Sequence, residues 1–122
     1  MKANRIGGAV AGAVLAGAMM ASTAAMADVH LTMDLSVKPD QQEQFLKVMT
    51  QAAHDTRSFK GNKLFHILVD KEKPGHILFY EIWDSPEHLQ AYRDWRGETK
   101  FGDKIAPYMA GPVTTVMYDI AE

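Results

Sequence analysis

A chain of 122 residues with a formal net charge of −2 and no cysteine has room for one small domain and excludes disulfides, thiolate metal sites and cysteine nucleophiles. Mild acidity argues against nucleic acid and anionic membrane surfaces as partners.

The first residues stand apart from the fold. Lys2 and Arg5 are the only charges before Asp28, and the stretch between Ile6 and Met20 holds only Gly, Ala, Val, Leu and Met. Ala25-Met26-Ala27 is a small-x-small cleavage site. Together these make the three-part pattern of a secretory signal over residues 1–27. The mature domain is then 28–122, exported to the periplasm or the medium, with no stable membrane association after cleavage. The alternative is a membrane anchor, but a run so rich in Gly and Ala makes a weak span. Small exported domains commonly need staples; lacking them, this one is expected to oligomerise.

Val29, Leu31, Met33, Leu35 and Val37 alternate with His30, Thr32, Asp34 and Ser36, which predicts a strand with one apolar face. Lys38-Pro39-Asp40 ends it, and Asp40 with Glu43 predicts a capping box. Phe45, Val48, Met49, Ala52, Thr56 and Phe59 recur at helical spacing opposite Gln44, Lys47 and Gln51, so a helix is expected over 41–57. Gly61 breaks it.

Leu64 to Asp70 is apolar at both parities and predicts a strand buried on both faces. Lys71 to Gly75 is a charged turn, and His76 to Trp83 returns as a hairpin partner. In that strand Phe79, Glu81 and Trp83 share one face, while Leu78, Tyr80 and Ile82 share the other. Asp84 or Ser85 caps a second helix that begins at Pro86 and runs to about Trp95. Phe101, Ile105 and Tyr108 suggest a further helical turn interrupted near Pro107. Val113 to Ile120 is the last strand.

The order β-α-β-β-α-β is an α+β, ferredoxin-like arrangement. Two helices cover only one face of a four-stranded sheet, yet several strands are apolar on both. A second copy packed on the open face would give a dimeric α+β barrel, so a homodimer is expected.

Of the five histidines, His54, His76 and His88 read as solvated. His66 lies inside an apolar strand, as either a structural residue or a base or axial ligand. No metal-binding spacing of His and carboxylates occurs. Glu81 and Trp83 are either a salt-bridging carboxylate beside a core indole or a carboxylate held at a dry cavity, where burial raises its pKa. Tyr92 follows Leu89 on the second helix, where its hydroxyl could reach such a cavity. Arg93 and Arg96 read as solvated, though either could pair with an anionic ligand. No Gly-rich phosphate loop or nucleophile elbow is present.

Several segments resemble the antibiotic biosynthesis monooxygenase domain, a family of dimeric α+β barrels. They are Val37-Lys38-Pro39-Asp40 leading to Phe45, Gly61-Asn62-Lys63-Leu64-Phe65-His66-Ile67, Phe79-Tyr80-Glu81-Ile82-Trp83-Asp84-Ser85-Pro86-Glu87, and Gly111-Pro112-Val113. The resemblance implies oxygenation of a hydroquinone or phenol by molecular oxygen without cofactor or metal. It makes His66, Glu81 and Trp83 the catalytic candidates and Asn62, Tyr80 and Tyr92 the substrate-binding ones. Where the family commonly carries a histidine on its second helix, this chain has Tyr92. Related barrels that degrade haem use an asparagine on the first strand, which offers only His30, Thr32 and Asp34 here. The competing readings are a non-catalytic binding module for a small aromatic or haem, and a structural dimer with filled cavities.

Overall fold

The structure, a computed structural model, describes residues 27–122; the proposed signal segment lies, but for its last residue, outside the described residues. The elements are β1 (Val29–Ser36), α1 (Gln42–Ser58), β2 (Asn62–Val69), β3 (His76–Trp83), α2 (Pro86–Glu98), α3 (Phe101–Ile105) and β4 (Thr114–Tyr118), with single 3-10 turns at Pro39–Gln41 and Ala106–Tyr108. The strands form one antiparallel sheet in the order β2-β3-β1-β4. This is the ferredoxin-like α+β fold the element order predicts.

Alternation does most of the sorting. In β3, Ile77, Phe79, Glu81 and Trp83 are buried in turn, and the residues between them are half-buried. Leu31 and Leu35 of β1 and Phe65 of β2 join them on the inner face. Helix α1 lays Phe45, Met49, Ala52, Ala53 and Thr56 against it. Phe45 is fully buried, and a phenylalanine so placed contributes about 1.5–3 kcal/mol.

The corner between β3 and α2 is built from local polar contacts. Ser85 Oγ accepts the His88 backbone N–H at 3.1 Å, and Pro86 occupies the first turn. His88 Nδ1 lies 2.6 Å from Asp84. Gly61 enters this corner with φ +95°, and a Cβ there would collide with the His88 ring. Its carbonyl accepts the Asp84 N–H at 2.9 Å. Glycine is thus required twice, by conformation and by space.

Two local expectations are corrected. The Asp40–Glu43 capping box does not form. Pro39, with its fixed φ, starts a 3-10 turn that absorbs Asp40, and Gln41 takes the cap position without a side-chain hydrogen bond. Strand β2 is not buried on both faces within one chain. Phe65 is buried, but His66 is exposed and Leu68 is 45% exposed, because β2 is an edge strand and the helices cover only the inner face. Val116 and Tyr118 of β4 are open in the same way, at 39% and 52%.

On that outer face His76 is clamped between two carboxylates. Its Nδ1 lies 2.8 Å from Asp70 and its Nε2 3.1 Å from Asp34. The hydrogen bonds to Asp70 and then to Asp34 raise the histidine above its ordinary 6.5. Its hydrogen bond, followed by the Glu72 and Lys73 backbone N–H groups, lowers Asp70 to about 2. A raised histidine stabilises the fold fully below 6.5 and loses that contribution as pH rises through its folded value; a lowered aspartate contributes above 3.8 and loses it as pH falls toward 2. Thermal melts of His76→Gln should therefore fall furthest below the parent between these limits and converge on it in alkali. A difference that stays constant up to about pH 9 would show that the clamp is not ionic.

Candidate active site

Between the inner sheet face and helices α1, α2 and α3 lies a cavity of about 210 Å³. Its walls are largely apolar and aromatic, with Leu31, Phe65 and Phe79 on the sheet side. Glu81 is set among these and is 3% exposed, while Trp83 beside it is fully buried. The two lie on the same side of β3 because they are two residues apart. Cross-strand register places Glu81 between Leu31 of β1 and Phe65 of β2.

The Trp83 indole N–H donates to Glu81 Oε1 at 2.8 Å, and Oε2 has no hydrogen bond among the described residues. Burial in this apolar wall raises the Glu81 pKa above the usual 4.5, opposed by the Trp83 hydrogen bond and by the positive charge of Arg93. Burying the charged form is costly, so the carboxylate is poised toward taking up a proton. Trp83 is itself held by aromatic neighbours, with the Tyr92 ring at 4.9 Å and Phe59 at 6.3 Å.

Tyr92 also lines the cavity, but its hydroxyl is engaged elsewhere. Arg96 Nε donates to it at 2.8 Å, and it lies 2.8 Å from Thr56 Oγ1. Arg96 Nη2 reaches Thr56 Oγ1 and the Ala52 carbonyl, each at 3.0 Å. The guanidinium stacks over Phe101 at 4.2 Å and Trp95 at 4.7 Å. This network ties α2 to α1 and commits the Tyr92 hydroxyl to the scaffold.

The remaining predicted residues lie elsewhere. His66 pairs with Tyr80 across β2 and β3, so both point to the outer face, away from Glu81. The Tyr80 hydroxyl is 3.3 Å from His30 Nδ1. Asn62 donates to the Leu64 carbonyl at 3.3 Å and borders a shallow surface groove with Arg57 and His66. Glu81, Trp83 and Tyr92 are thus brought together, whereas His66, Asn62 and Tyr80 are not part of that cluster. Thr56 and Arg96 enter it instead. The i, i+4 spacing of Tyr92 and Arg96 on one helix is the signal that points to their contact.

Among the described residues Glu81 is the one buried carboxylate, set at an apolar, aromatic-lined cavity on a ferredoxin-like sheet. A profile of the antibiotic biosynthesis monooxygenase family matches residues 28–103, and the chain belongs to that family. Solved structures with the same architecture include a Nitrosomonas europaea protein bearing the family name. It has a TM-score of 0.71 and 23% identity over 77% of this chain and 90% of that one. Rv0793 from Mycobacterium tuberculosis gives 0.69 and 14% over 79% and 97%. SnoaB, a cofactor-independent oxygenase from Streptomyces nogalater, gives 0.66 and 11% over 78% and 94%. At these identities the likeness is one of fold alone. The Synechocystis protein sll1783 is 26% identical over 89 residues, 73% of this chain, and the match spans 60% of that protein's length.

Proposed function

We propose that this chain is a cofactor-independent monooxygenase acting on a small hydroquinone or phenol, with Glu81 as the base. The observation that carries the reading is the buried Glu81 carboxylate at the wall of an apolar cavity, oriented by the Trp83 N–H at 2.8 Å. A free phenol has a pKa of about 10, so it needs a partner that accepts its proton. Glu81 Oε2 accepts the hydrogen bond from the substrate hydroxyl and takes the proton as the ring becomes electron-rich. The phenolate then reduces oxygen. One oxygen atom enters the ring at a C–H position and the other leaves as water. The quinol supplies all the electrons and becomes a hydroxyquinone, so no outside reductant is needed. Membership of a monooxygenase family supports this reading, and the apolar lining excludes competing water.

Oxygen-electrode assays across a panel of hydroquinones test it. The parent protein should consume one oxygen per quinol above the uncatalysed rate. Glu81→Gln should lose about 100-fold or more in kcat/KM, while His66→Ala, on the other sheet face, should keep most of the rate. Glu81→Gln should also raise the melting temperature at pH 7. A raised carboxyl pKa means that the ionised form opposes folding above 4.5, and relief of that opposition is worth about 4–8 °C per kcal/mol. Turnover unchanged by Glu81→Gln would remove Glu81 as the base, and no turnover across the panel would remove the reading.

The second reading, a binding module for small aromatics, draws on the engaged Tyr92 hydroxyl, which leaves Glu81 without a companion acid in the cavity. Binding without oxygen uptake would favour it.

We also infer that a second copy covers the outer sheet face and that residues 1–27 direct export. The support for the first is the exposed apolar surface at Leu68, Val116 and Tyr118. Native mass measurement of protein recovered from outside the cytoplasm tests both inferences. It should give a dimer of chains beginning at Asp28; a monomer contradicts the first inference, and chains beginning at Met1 contradict the second.

A further inference from the structure

We infer that the cavity selects a hydroxylated aromatic carrying a carboxylate, and that Arg93 reads that carboxylate. The inference rests on the reading of this cavity as an aromatic-binding site. Three formally charged side chains line it: Glu81, Arg93 and Arg96. Two guanidiniums against one carboxylate give the cavity an excess positive charge in a chain whose net charge is −2.

The two arginines differ in how they are used. Arg96 is consumed by Tyr92, Thr56 and the Ala52 carbonyl. Arg93 has no hydrogen bond or ion pair among the described residues, although Glu81 feels its charge. It is exposed at the cavity mouth, with its donors free for a planar, bidentate acceptor. A monoanionic ligand would balance the cavity's charge, with its carboxylate on Arg93 and its hydroxyl on Glu81 at the inner wall.

Size sets the rest of the class. At about 210 Å³ the cavity is smaller than the roughly 300–1,000 Å³ of sites that enclose drug-sized ligands. It suits a single ring, held against Phe65 and Phe79, and not a polycycle. A dihydroxybenzoate has these features.

Anaerobic calorimetry on the full chain with 2,5-dihydroxybenzoate and its methyl ester isolates the charge, since the two share ring and hydroxyls. The acid should bind about tenfold more tightly than the ester, the range expected for hydrogen bonds to a charged group at a partly exposed site. Arg93→Gln should bring that ratio close to one, and Arg93→Lys should restore part of it. An acid no tighter than its ester, or a preference that persists in Arg93→Gln, overturns the inference. The outcomes separate from those for the proposed reaction. Esters and simple hydroquinones oxygenated without preference for the acid would leave the monooxygenase reading standing and sink this one. An Arg93-dependent preference without oxygen uptake would do the reverse. Binding of neither ligand would overturn this inference and leave the monooxygenase reading to the oxygen-electrode panel.

Discussion

The hydrogen bond from the Trp83 indole to Glu81 is the contact on which the site depends. A carboxylate at 3% exposure pays a desolvation cost that one neutral hydrogen bond only partly offsets. The residual cost raises its proton affinity. The same burial that makes Glu81 a stability liability raises its proton affinity above that of a solvated carboxylate. Trp83 fixes one carboxylate oxygen and leaves the other without a hydrogen bond among the described residues.

The fold serves that pair from two directions. Strand alternation sets Glu81 and Trp83 on the helix side of β3, and register places Leu31 and Phe65 on either side of Glu81. The tight corner of Gly61, Asp84, Ser85 and His88 then turns the chain directly into α2. That turn brings the Tyr92 ring to within 4.9 Å of Trp83. Arg96, stacked on aromatic rings and bonded to α1, holds the roof of the cavity in place. The Tyr92 hydroxyl serves this scaffold through Thr56 and Arg96, which on the proposed reading leaves proton transfer to Glu81.

Much of this was legible in the amino-acid order. Period-two alternation in β1 and β3, helical spacing from Phe45 to Thr56, and Ser85-Pro86 gave the elements their type and near boundaries. The shared face of Glu81 and Trp83 followed from spacing alone. What could not be read was decided by neighbours distant in sequence. Hairpin register put His66 opposite Tyr80, and a slip of one residue would have put it beside Glu81. The capture of the Tyr92 hydroxyl by Thr56 depends on how α1 and α2 pack. Pro39 and Asp40 look like the approach to a cap, yet a 3-10 turn uses the same residues. The two-sided apolarity of β2 reports a surface that one copy of the chain leaves open.

Glu81 is a buried, hydrogen-bonded carboxylate whose burial raises its pKa. The Trp83 indole N–H resonance, followed by nitrogen-15 NMR through an acid titration, reads it directly. This resonance should titrate with a midpoint above 4.5, and the transition should vanish in Glu81→Gln. A midpoint at or below 4.5, or a transition that survives the substitution, would contradict it.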